Sequence, residues 1–177
     1  MFCKAIKVIG IVGLMLVMSS TAFAEWETIN KIEDSGEVGR YTFSPEVHAI
    51  GEDGFIYETA DMQFSVSCTG NQVSTGILVN SPRFQDTGVE HGYKVIDTQI
   101  KWDNKTESRK LYQKPAFMKA NLYFKEVHEI NDKLKTSGTV KLTMKWIDGE
   151  QRYYELKLDG ADAAISKILK KCRNDYE

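Results

Sequence analysis

Cysteine is the residue type whose number and spacing most clearly imply chemistry here. The sequence holds three: Cys3, Cys68 and Cys172. Cys3 lies in an N-terminal leader, so two remain. Two thiols in an exported protein most often form one disulfide, and with only two the pairing has no alternative partner. The competing state is two buried free thiols; two thiols alone are too few ligands for structural zinc. Neither cysteine belongs to a Cys-x-x-Cys pair, the spacing that lowers a thiol pKa for exchange, so a Cys68–Cys172 bond should be structural.

Other reactive groups are present without a pattern. His48, His91 and His128 are scattered singly and suit ordinary surface or half-buried positions. Carboxylates abound, but they are the commonest surface groups, and only a folded pocket marks a pair as catalytic. The sequence has no Gly-rich phosphate loop, GxSxG elbow or HExxH helix. Catalytic, cofactor-binding and metal-binding residues are therefore all expected to be none. Asn104-Lys105-Thr106 matches a glycosylation sequon, which matters only in a eukaryotic secretory pathway. Asp103 to Lys114 carries Lys105, Arg109, Lys110 and Lys114 and is expected to be a solvated loop, with anion binding the alternative.

The leader sets the compartment. Residues 1–24 combine basic Lys4 and Lys7, an apolar stretch from Val8 to Met18, and Ala22-Phe23-Ala24 before the cut. This is a secretory signal, with cleavage expected between Ala24 and Glu25. The apolar run is shorter than the ~20 residues a membrane span needs. Residues 25–177 are expected to form one periplasmic or secreted β-rich domain. The full chain carries 23 basic and 25 acidic residues, and removing the leader makes it more acidic. No basic excess marks a nucleic-acid partner, and no second apolar run suggests a span in the mature form.

The elements that carry the cysteines are legible. Met62, Phe64, Val66 and Cys68 alternate on one face of a strand. Ala161, Ala164, Ile165, Ile168, Leu169 and Cys172 recur at helical spacing, with Asp159 or Gly160 able to cap the start. Both cysteines thus sit on faces that should meet in the core, stapling the last helix to an early strand.

The remaining chain is mostly short strands. Gly39 to Ile50 is a strand interrupted by Pro45. Gln72–Val79 should pair with Met62–Cys68 through a turn at Thr69-Gly70-Asn71. In Tyr93–Trp102, the set containing Ile96, Ile100 and Trp102 should face the core. Pro115 to Lys125 fits either period; a helix is preferred, with Phe117, Ala120, Phe124 and Val127 on one side. Thr139 to Leu158 is a hairpin. A three-residue Ile147-Asp148-Gly149 loop keeps its two apolar faces in phase, opposing Leu142 to Tyr154 and Val140 to Leu156, and needs Gly149 left-handed. The fold class expected is mostly β: an antiparallel β-sandwich or open barrel, with one or two helices and the C-terminal one stapled by the disulfide.

The order of features resembles periplasmic accessory proteins associated with type VI secretion, the TagO or VasI group. The matching residues are Trp26, Phe64-Ser65-Val66-Ser67-Cys68, Tyr93, Asp97 and Trp102, then Leu156-Lys157-Leu158-Asp159-Gly160, Ala164-Ile165 and Cys172. They span most of the mature chain as scattered positions. The sequence departs from that family in lacking its additional N-terminal cysteine segment. Ser67 and Lys94 also stand where the family has arginine. Other exported single-disulfide β families, such as the invasion-associated group, share the general pattern. The resemblance implies an assembly or regulatory role and a partner that is another periplasmic or envelope protein. The alternative is a periplasmic ligand-binding or enzyme-inhibitor protein. A pocket lined by Trp26, Trp102 or Tyr93 would favour the alternative, and an exposed apolar patch the first reading.

Overall fold

The computed structural model describes residues 25–80, 83–113 and 120–174. The expected leader, including Ala24 at the cleavage bond, lies outside the described residues.

The strands are β1 (Glu27–Ile32), β2 (Val38–Phe43), β3 (Val47–Gly51), β4 (Ile56–Thr69), β5 (Gln72–Val79) and β6 (Gly88–Glu90). After them come β7 (Tyr93–Trp102), β8 (Lys105–Gln113), β9 (Ala120–Tyr123), β10 (Thr139–Lys145) and β11 (Gln151–Lys157). Two helices complete the set, α1 (Val127–Thr136) and α2 (Ala161–Asn174). Neighbouring strands run in the order β4, β3, β11, β10, β7, β8, β9, β5, and β5 pairs back to β4. Eight antiparallel strands thus close into a barrel, which removes the edges a flat sheet would leave open. Outside the ring, β1 and β2 form a ribbon on the far half of β4.

Alternation along β4 explains the closure. Met62, Phe64, Val66 and Cys68 all point into the interior. One side of β4 pairs with β5 along its second half, while its other side is shared between β3 and β2. Pro45 sits between β2 and β3, at the interruption expected for it. The interior is apolar: Ile77, Ile96, Ile100, Leu111, Leu122, Leu142, Met144 and Tyr154 join Phe64 in one cluster. The expected core face of β7 is the buried one, with Ile96, Thr98, Ile100 and Trp102 inside.

The hairpin of β10 and β11 has the expected register, Leu142 opposite Tyr154 and Val140 opposite Leu156. Its loop is Ile147-Asp148-Gly149, and Gly149 has φ +89°. Helix α2 buries Ala161, Ile165, Ile168 and Cys172, and the Gly160 carbonyl accepts from Ala164 N–H at 3.1 Å. It packs on α1, β4, β2 and β5.

Two expectations are corrected. Asp103 to Lys114 is no loop where the structure describes it: β8 occupies Lys105–Gln113, paired with β7 along its whole length. Its inward positions Glu107 and Arg109 are polar because they bond each other and α1. The helix preferred for Pro115 to Lys125 is overturned at its C-terminal half, where Ala120–Tyr123 is a strand between β5 and β8. Residues 115–119 lie outside the described residues. A helix does follow, beginning at Val127, the residue that ends the helical stripe of the preceding segment. Its buried positions are Ile130, Asn131 and Leu134.

Candidate functional site

Cys68 and Cys172 are bonded, with Cα atoms 5.9 Å apart. Cys68 is the last inward residue of β4, and Cys172 lies on the buried stripe of α2. The bond is packed by Ile168 and Val73. A cross-link of this kind persists in oxidising compartments outside the cytoplasm. Its burial leaves it a structural staple with no exposed sulfur for exchange.

An ion-pair network ties α1 to the barrel near the start of β8. Trp102 Nε1–H donates to Glu107 Oε1 at 2.9 Å, and Arg109 donates to both Glu107 oxygens at 3.0 Å. Lys133 of α1 also bonds Glu107, and Glu129 bonds Arg109 and Lys133. Burial pushes the Glu107 carboxyl upward, but donors from Arg109, Lys133 and Trp102 outweigh it and hold the pKa at about 2. Glu107 is thus a fixed carboxylate with every donor around it engaged, an arrangement that positions α1.

The three histidines do not converge. His48 lies on β3 and pairs with Asp61 at 2.5 Å, His91 lies in the β6–β7 turn, and His128 lies on α1; all three are exposed. Among the described residues no group of three His, Cys, Asp or Glu side chains is placed to hold a metal ion. No helix among them is long and apolar enough to cross a membrane.

Two surface features have the makings of a recognition site. The first is at the barrel end formed by the β3–β4 and β10–β11 turns. Phe55 stands edge-on to Tyr57 at 4.9 Å, Tyr57 lies 6.0 Å from Trp146, and Trp146 meets Phe84 edge-on at 5.8 Å. The Arg152 guanidinium lies 4.4 Å from both the Tyr57 and the Trp146 rings and is held by Asp148 at 2.7 Å. Phe55, against Tyr57, and Ile147, next to Trp146 in the loop, have 60% and 69% of their surface exposed, while Ile56, 53% exposed, alternates to the other face opposite Ile50. An aromatic and arginine base beneath exposed apolar side chains is the composition of a protein-binding centre.

The second feature is a groove of about 460 Å³ beside the β6–β7 hairpin. The two-residue turn His91-Gly92 has positive φ at both positions, +51° and +81°, the twist that brings Glu90 opposite Tyr93. Tyr93 and Tyr123 are half-buried walls, and Tyr112 is a buried one. Tyr112 donates to Glu90 at 3.1 Å, and Lys125 lies over the Tyr112 ring at 3.9 Å. Lys110 reaches Glu90 at 2.5 Å. Donation from Lys110 and then Tyr112 holds the Glu90 carboxyl below its usual range. Of Trp26, Trp102 and Tyr93, the aromatics expected to line a pocket, Tyr93 is the one in this groove. Trp26 lines a separate depression at the start of α2, and Trp102 faces the interior. Glu90, Tyr112, Tyr123 and Lys125 carry no signal in the sequence, because only the pairing of the successive strands β6 to β9 makes them neighbours.

Comparisons with known proteins give the fold alone. No protein-family model matches the chain, and no curated protein matches it. Among solved structures, it is similar to invasion associated protein B from Bartonella henselae, with a TM-score of 0.53 and 11% identity. The match covers 84% of this chain and 93% of that one.

Proposed function

We propose that this is a periplasmic, non-enzymatic accessory protein that binds another envelope protein through the exposed aromatic end of its barrel. One observation carries the reading: Phe55 and Ile147 are exposed beside a stack of Tyr57, Arg152, Trp146 and Phe84. Side chains held in place before binding lose little entropy on binding, so such a patch is well suited to a partner. The finer reading assigns it to the accessory proteins of type VI secretion, on the strand cysteine and the C-terminal helix cysteine that carry the likeness. The bonded pair and its burial support that pattern. The test is site-specific photo-crosslinking in cells from position Ile147. One envelope protein should be captured, and Phe55→Asp should abolish its capture while melting as wild type does. Capture unchanged by Phe55→Asp would sink the reading. An envelope partner outside a secretion apparatus would remove the finer assignment alone.

The groove at Tyr93 favours a second reading, a periplasmic ligand-binding protein. It combines aromatic walls with a few convergent polar groups, the usual make-up of a small-ligand site.

A further inference from the structure

We propose that the Tyr93 groove and the depression beside it form one track for a linear oligosaccharide. This rests on the ligand-binding reading and names its ligand class.

The neighbouring depression, about 330 Å³, lies on the outer face of β1, β2, β4, β5 and β9. Tyr123 lines both hollows, so they share a wall. Ser67 at the floor of one hollow pairs in register with Ser74 at the edge of the other. From Tyr41 on β2 to Tyr93 on β7 the track crosses five strand spacings, roughly 24 Å along the contour at about 4.8 Å each.

The lining suits a sugar. Tyr41 and Phe43 line the hollow with parallel rings, centroids 6.1 Å apart, apolar surface of the kind a pyranose C–H face packs on. The floor between rings is low and hydroxylated: Ser65 pairs in register with Gly76, which pairs with Tyr123. At the far end, Glu90 offers acceptors and Lys125 a donor within one hollow, the pairing that vicinal hydroxyls satisfy.

An extended peptide fits less well. Peptides gain affinity on sheets by pairing with a free edge. Along the middle of this track β4 is paired on both sides, β5 lies between β4 and β9, and β9 lies between β5 and β8, while the free edges of β1 and β6 lie at its two ends. A peptide lying across the middle strands would meet no free ladder groups and would leave its own amides unmatched there. A glycan turns its hydroxyl rim to serine, carboxylate and water.

The test is calorimetric titration of the whole mature protein with cellohexaose, chitohexaose and glycan strands released from peptidoglycan. The matching monosaccharides and an alternating Val-Thr nonapeptide complete the set. At least one linear glycan should bind one per chain and far more tightly than its monosaccharide. Phe43→Ala at one end and Tyr93→Ala at the other should each weaken it about tenfold, at unchanged melting temperature. Failure of every glycan to bind below about 1 mM would overturn the inference, as would binding that both substitutions leave intact. If the nonapeptide binds in the groove instead, the glycan assignment falls and the ligand-binding reading stands. If nothing in the set binds, both fall.

Discussion

Replacing Cys68 and Cys172 together by alanine isolates the contribution of the staple. The bond closes a separation of 104 residues, and neither cysteine is more than 4% exposed. In the chain-entropy account a loop of about 100 residues loses enough unfolded-state freedom to stabilise the fold by about 4.7 kcal/mol. Native strain and residual order in the unfolded chain reduce such figures, so the expected loss is about 2–4 kcal/mol. For a domain of this length that lowers the melting temperature by roughly 5–15 °C. Circular dichroism melting of oxidised wild type against the double variant reads it directly. Hydrogen exchange adds a sharper test. A cross-link acting through the unfolded chain lowers protection in the slowest-exchanging core amides, including those of β4 and β7. A loss confined to α2 would mean the bond merely pins a helix, and a melting shift under about 2 °C would refute the entropic argument outright.

Three further outcomes follow from the same geometry. Glu107 has its pKa lowered from 4.5 to about 2, so its contribution is complete above pH 4.5 and disappears as pH falls through 2. With the side chain partly exposed, Glu107→Gln should cost about 1 kcal/mol at pH 7, and urea midpoints of variant and wild type should converge near pH 2. Gly149→Ala should destabilise by about 1–2 kcal/mol, because φ is +89° while no neighbour lies within 4 Å of the added carbon; an unchanged urea midpoint would contradict the loop assignment. Gly76→Ala should be worse: its Cβ would stand 2.2 Å from the Leu122 carbonyl oxygen, a backbone atom that moves only if β9 does. Soluble yield and melting temperature should both fall, and a wild-type melt would refute the close approach of β5 and β9.

Much of the scaffold was legible because its signals are local. In β4 the alternation from Met62 to Cys68 leaves one choice of inward face. In the β10–β11 hairpin, phase between two apolar faces and a glycine at the right place select one loop length. The C-terminal helix carries its stripe in sequence. Strand β8 was hidden for the opposite reason: Glu107 and Arg109 point inward, and partners on α1 satisfy them, so the segment looks solvated until the helix is in place. Helix α1 was misplaced because Phe124 and Val127 fit the helical spacing of the segment before it, while its own buried face includes a polar residue. Asn131 there accepts a hydrogen bond from Thr75 at 2.7 Å. The Tyr93 groove was legible only as one aromatic, since Tyr112 and Tyr123 become neighbours through β8–β9 pairing.

Strand β4 links these observations physically. Its C-terminal end holds Cys68 and the packed helices, while its first residues adjoin Phe55 and the aromatic stack. Its middle supplies Ser65 and Ser67 to the outer track. The disulfide and the Glu107 network both lie at the helix end. Exposed apolar side chains at the opposite end therefore need no share in holding the barrel together. On the proposed reading, this separation leaves Phe55 and Ile147 free to serve a partner rather than packing. A surface built this way tolerates substitution in melting experiments while losing recognition, which is the behaviour that distinguishes a binding patch from an exposed edge of the core.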